Sequence, residues 1–296
     1  RVHEVELGAL GATGQTVLLG DRVLRYSGGA GISELTANLA LQGTTASSLV
    51  FGTEQALTYR WEGNATRSTL GTLDVVRGDL TLAGVQLDLL STSAASPLRV
   101  QTGGVLRMLG SQVQQSGRTL LQDGAVLELG VGSMLQGQTL ALEGANSRLS
   151  LTLGGSASFT GIDPLAQGGS VEFGGGTLEI GAGGPNSSFA GLLTGSSGLL
   201  RKLGGGVLTL GNDNNSFAGR VQVESGLLVA SAGALRLSTL TLIGSGRSSF
   251  TPQAGQFSIG ALSGSFDLSA VPGSMLALGA PGNSDRWQGR FVGGQV

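Results

Sequence analysis

Residues 198–219 read G-L-L-R-K-L-G-G-G-V-L-T-L-G-N-D-N-N-S-F-A-G, and residues 220–230 continue R-V-Q-V-E-S-G-L-L-V-A. Leu208 and Leu210, like Val221 and Val223, fall on alternate positions, which places both members of a pair on one face of a strand. Gly204-Gly205-Gly206 and the run Asn212-Asp213-Asn214-Asn215 separate these segments and supply the backbone freedom and local hydrogen bonding of turns. The pattern recurs. At an offset of 30, Phe159-Thr160-Gly161 maps onto Phe189-Ala190-Gly191, Gly174-Gly175-Gly176 onto Gly204-Gly205-Gly206, Leu178 onto Leu208 and Ile180 onto Leu210. At an offset of 28, Asn186 maps onto Asn214, Phe189-Ala190-Gly191 onto Phe217-Ala218-Gly219, and Gly198-Leu199-Leu200 onto Gly226-Leu227-Leu228.

Outward from this stretch, period-two runs continue at Val105–Leu109, Val126–Leu129, Leu149–Leu153, Leu235–Leu237 and Met275–Leu278. An aromatic followed two residues later by glycine occurs at Tyr26, Trp61 and Trp287. Short strands at a repeated spacing, without tight Asn-Gly hairpin signals, predict an all-β solenoid, a right-handed parallel β-helix in which uniform Leu, Val and Ile stack in internal ladders. Coils about 4.8 Å apart give on the order of 12 turns and a rod of roughly 50–60 Å. Residues 1–60 carry the repeat weakly and are expected to hold irregular coils or a cap; 61–296 form the repetitive helix, most regular over 159–230. The recurrent Phe159, Phe189 and Phe217 are expected to stack on one another inside the coil, with Trp61 and Trp287 in the same series.

Composition agrees with this class. The 296 residues include 54 glycines, yet 40% are hydrophobic and the net charge is only −2, so the chain has apolar surface to bury and is not of the disordered type. Six prolines without a Gly-X-Y period exclude collagen. With no cysteine, disulfide staples and thiolate metal sites are excluded. Seventeen basic residues, of which Lys202 is the one lysine, form no cluster suited to nucleic acid. No apolar run is long enough for a membrane-spanning helix, so no direct membrane insertion is expected. The abrupt start at Arg1, without a leader, reads as a mature or excised segment.

The stretch 198–230 resembles the passenger-associated repeat of bacterial autotransporters. Gly198, Leu200, Lys202, Gly204, Gly206, Leu208 and Leu210 occupy that family's alternating Gly, Leu and Lys positions, and Gly211, Asn212, Phe217, Gly219, Val223, Gly226 and Leu228 continue it. The resemblance is close over 198–230, recognisable over 159–191 and weak before about residue 60. It implies a β-helical passenger displayed on, or released from, a Gram-negative outer membrane, with a translocator barrel in the precursor that this sequence does not contain.

Candidate sites are few. Arg77-Gly78-Asp79 spells the tripeptide that integrins recognise, but its context L-D-V-V-R-G-D-L-T-L parallels V-Q-V-E-S-G-L-L-V at 221–229. Gly78 would then be a turn glycine equivalent to Gly226. His3 has no partner for a metal site or a catalytic triad. Asp21, Asp74, Asp88, Asp123, Asp163, Asp213 and Asp267 are scattered, and Glu128, Glu143, Glu172 and Glu179 read as outward strand residues. A glycosidase- or lyase-type enzyme would need two or more of these acids to converge. Asn212–Asn215 reads as a coil turn and Gly204–Gly206 as a coil corner. The expectation is therefore a non-enzymatic surface or secreted adhesin that takes no cofactor or metal. Its partners would be a host surface or neighbouring copies of itself. A structural stalk carrying another domain is the alternative, and a carbohydrate-active enzyme the third. The final residues from Trp287 look like the start of another repeat, and the coil is expected to continue past them or to meet a partner.

Overall fold

The computed structural model describes residues 4–6, 13–26, 34–52, 58–63, 66–91, 96–244, 246–251, 256–279 and 286–295. Among them there is no helix; parallel strands stack into a β-solenoid of about 11 turns.

The solenoid has three sides, seen most plainly over residues 58–115, where each strand pairs with the third strand after it. On side A, Thr72–Val75 lies beside Leu98–Val100, which lies beside Arg118–Leu121. On side B, Thr58–Glu62, Gly78–Ala83, Gly104–Leu109 and Val126–Leu129 follow one another. On side C, Ser68–Leu70, Gln86–Leu89 and Gln112–Gln115 do the same. Farther on, Ser187–Phe189, Val207–Leu210, Leu227–Ser231 and Arg247–Thr251 form a separate four-stranded sheet. It takes over side A, joined to it by the Ile162 N–H donating to Ser187 Oγ at 3.1 Å.

The length of one turn is read from residues directly above one another. Val105, Val126, Arg148, Ser170 and Leu192 are neighbours on side B, at offsets of 21, 22, 22 and 22. One turn is therefore the step from Val126 to Arg148, and the offsets of 28 and 30 in the sequence repeat are a different quantity. They advance the chain by one full turn plus one side. The reason is that every side is built from the same unit, a short alternating strand followed by a glycine corner, so sequence similarity links units on different sides.

This corrects the expectation of a single aromatic stack. Phe159 lies on side C beside Ile180, Phe189 on side A beside Leu210, and Phe217 on side B with its ring 4.3 Å from that of Phe173. All three are buried, but on three walls. Trp61 belongs to side B beside Leu82, whereas Trp287 pairs with Gly264 in the last turns.

The ladders form the core. Leu80, Leu106, Leu127, Leu149, Val171 and Leu193 stack on side B, flanked by Trp61, Leu82, Met108, Leu129, Leu151 and Phe173; all are buried in one continuous cluster. Burying one apolar column along the axis lets each turn stabilise the next. Within 1–60, Val23–Tyr26 already lies beside Ser48–Phe51, and Ser48–Phe51 beside Thr72–Val75. At the other end, Arg286–Gln288 and Phe291–Gln295 remain parallel strands of the coil and do not fold over as a cap.

Candidate functional site: outward ladders and a signature turn

Residues that alternate with the core ladders point outward, and stacking turns lines them up. On side B, Arg107 reaches the turn before it through Asp79 (Nη1–Oδ2 2.7 Å) and the turn after it through Glu128 (Nε–Oε2 3.4 Å). Arg148 meets Glu172 at 3.3 Å. On side C, Arg201 bridges Glu179 and Glu224. On side A, Asp74 accepts from Arg99 (2.6 Å) and from the Gln101 amide, and Arg118 lies between Asp163 (2.7 Å) and Glu143 (3.3 Å). The hydrogen bond that Arg107 donates to Asp79 is the main cause holding its guanidinium above the ordinary pKa, with burial opposing; the bond donated to Glu224 does the same for Arg201. Most of these side chains are a third to a half exposed, so each pair contributes only about 0–1 kcal/mol. Their regularity gives the surface its character: charge repeated along the axis and neutralised locally.

The Arg77-Gly78-Asp79 tripeptide sits on the corner between Thr72–Val75 and Gly78–Ala83. Arg77 is exposed, Gly78 has φ 79°, and Asp79 is already the second residue of a side B strand with its carboxylate engaged by Arg107. Gly226 shares the positive φ, at 71°. It turns the corner from side C to side A, whereas Gly78 turns from A to B, so the two glycines are alike in conformation but not in place.

The signature residues spell out one complete turn. Gly198 opens side C, where Leu200 and Lys202 point inward. Gly204 and Gly206 turn the corner, and Leu208 and Leu210 are the inward residues of side A. Asn212 accepts from the Asn214 N–H (2.9 Å) and donates to Ala190 O (3.2 Å), and buried Asn215 accepts from the Leu193 N–H (2.9 Å), so this loop's amides organise a turn. Phe217 then fills side B and Gly219 ends it. Lys202 is 1% exposed in a column whose neighbours are Ile180 and Val223. Its Nζ donates to the carbonyls of Leu203, Gly204 (2.7 Å) and Ser225 (3.2 Å). Burial lowers its pKa. The lysine is an internal clamp on two successive corners.

Asp88 meets Arg67, Asp123 accepts from the Asn146 N–H, Asp213 from the Gly233 N–H, Asp21 from the Thr44 hydroxyl and Asp267 from Arg290. Among the described residues no group of three or more His, Cys, Asp or Glu is placed to hold a metal ion, and His3 lies outside the described residues. No described helix is long and apolar enough to cross a membrane. Sequence reasoning missed the arginine bridges and an exposed apolar corner, Leu109, Val131 and Leu153, at 41%, 70% and 70% exposure. The signal for the corner was its recurrence at an offset of 22. Compared with known families, curated proteins and solved structures, the chain matches none.

Proposed function

We propose that this solenoid is the adhesin-type part of a cell-surface or secreted protein of the autotransporter-passenger kind. On this reading it acts by adhesion to a host surface or by self-association, and catalyses no reaction. The observation that carries the reading is the periodic outer surface: arginine–carboxylate and amide or hydroxyl side chains recur turn after turn along the rod. Identical weak contacts at a fixed repeat gain avidity when a partner spans several turns. The close resemblance of residues 198–230 to passenger repeats supports the surface location and an outer-membrane barrel in the precursor. A stalk is the second reading, favoured by the local neutralisation of charge within each wall.

The test is display of residues 1–296 on non-adherent bacteria, scoring settling and attachment to host cells and glycans. The adhesin reading expects clumping or attachment that rises with surface density and falls with added salt. Neither effect at any density contradicts it and leaves the stalk. Asp79→Ala in parallel addresses the tripeptide: loss of attachment places the contact at the A-to-B corner, and unchanged attachment makes Gly78 a turn glycine only.

A further inference from the structure

A solenoid wall steps where successive turns differ in length, and a short turn lies here, as also at Ser68–Leu87 and Gln256–Met275. Thr239 stands above Arg220 at an offset of 19, whereas Arg220 stands above Leu199 at 21 and Leu199 above Thr177 at 22. At the corner leading from side A into side B this turn carries only Ala232, Gly233 and Ala234, between the Asp213-Asn214 loop of the turn before and Gln256–Ser258 of the turn after. These residues, with Arg236, line an open groove of about 390 Å³. That is the lower end of the range for small-molecule sites.

Two groups in the groove are fixed by the fold. Asp213 Oδ1 accepts from the Gly233 N–H at 2.7 Å, which leaves Oδ2 for a ligand, and Arg236 Nε donates to Asn215 O at 3.2 Å. Arg99, Arg107, Arg118, Arg148 and Arg201 each spend their guanidinium on a carboxylate of a neighbouring turn. Arg236 is exposed and, among the described residues, its terminal nitrogens meet no acid. Asn214, Gln256 and Ser258 add side chains that both donate and accept.

We infer that this groove binds an acidic sugar unit of the hexuronic acid class, with its carboxylate on Arg236 and its ring hydroxyls on Asp213, Asn214 and Gln256. A planar guanidinium with free terminal nitrogens matches one carboxylate bidentately. The mixed donors and acceptors match adjacent hydroxyls, and the Asp213 carboxylate disfavours more highly charged ligands such as phosphate monoesters. Gly233 packs closely on Asp213, where a Cβ would lie 2.7 Å from Asp213 O, and this holds the carboxylate in place at the groove.

Uronate binding does not depend on adhesion, because it is tested in solution without cells. The isotope-labelled protein is titrated with sodium glucuronate, and with glucose and sodium acetate in separate arms, while backbone amide signals are followed. Glucuronate is expected to shift the signals of Gly233, Arg236 and Gln256 saturably, with a dissociation constant on the order of 1 mM as suits an open site. Arg236→Gln, a surface change, is expected to weaken it about tenfold or more, the loss of a charge-assisted pair, and Arg220→Gln, at an exposed arginine outside the groove, to leave it unchanged. Three signals that stay still, equal shifts with glucose or acetate, or wild-type binding by Arg236→Gln would each overturn the assignment.

Discussion

At Gly219 a methyl group has nowhere to go. A Cβ there would lie 2.4 Å from two ring atoms of Phe217 and 2.6 Å from Gly198 O; at Gly191 the clash is with Phe189, and at Gly289 with Trp287. In these three copies the ring folds back over the glycine two residues on, whereas at Gly63 the close neighbours are Gly84 and Val85 and at Gly161 Ser187. Gly219→Ala is expected to lower stability by about 1–3 kcal/mol through overpacking, whereas Gly205→Ala, where a Cβ meets nothing within 4 Å, should stay within about 0.5 kcal/mol of wild type. Chemical denaturation of the two variants decides it. Lys202 carries the second prediction at this scale. Burial lowers its folded pKa below the ordinary value of 10.5, so between the two values the unfolded chain binds more protons and stability rises with pH. Lys202→Met should lose this alkaline rise. At neutral pH it should also be less stable by about 1–3 kcal/mol, because the carbonyls of Leu203, Gly204 and Ser225 lose their donor. Equal slopes of stability against pH in the two proteins would refute the clamp.

Within a single strand and its corner, position decides cost. Leu127 stands in the side B column between Leu106 and Leu149 with no exposed surface, while Val131, four residues on, is 70% exposed at the next corner. Leu127→Ala should cost about 2–5 kcal/mol, and Val131→Thr less than about 0.5 kcal/mol; thermal unfolding of the pair measures both. Alternation made this much legible from sequence, since Val126–Leu129 announces its inward and outward faces without any structure. Which wall a strand belongs to was not legible. Phe159, Phe189 and Phe217 sit in nearly identical sequence because each closes the same strand-and-corner unit, and nothing local distinguishes the corner leading into side A from the one leading into side B. Lys202 stood out in sequence as the one lysine, but its role depends on Ser225, which comes within reach only when the next turn is laid down. The arginine bridges were hidden for the same reason: Asp79, Arg107 and Glu128 are separated in sequence by the length of whole turns.

Over the whole molecule, about 11 turns at a strand spacing of about 4.8 Å make a rod of roughly 50 Å. Each of its properties follows from the length of one turn. The offset of 22 aligns Leu109, Val131 and Leu153 on one edge, the charge ladders span turns with offsets from 21 to 26, and the groove lies in a turn with an offset of 19. The absence of cysteine allows a direct test with two introduced thiols. In the Ser158→Cys/Glu179→Cys protein the two residues are neighbours across parallel strands, within the Cα separation of about 4.4–6.8 Å that a disulfide accepts. In the Ser158→Cys/Ser188→Cys protein they share the offset of 30 of the sequence repeat but lie on sides C and A. Mild oxidation of each, read by non-reducing electrophoresis and mass spectrometry of the cross-linked peptides, is predicted to join 158 to 179 in high yield and to leave 158 and 188 unjoined. Efficient joining of 158 to 188, with none between 158 and 179, would contradict the three-sided solenoid.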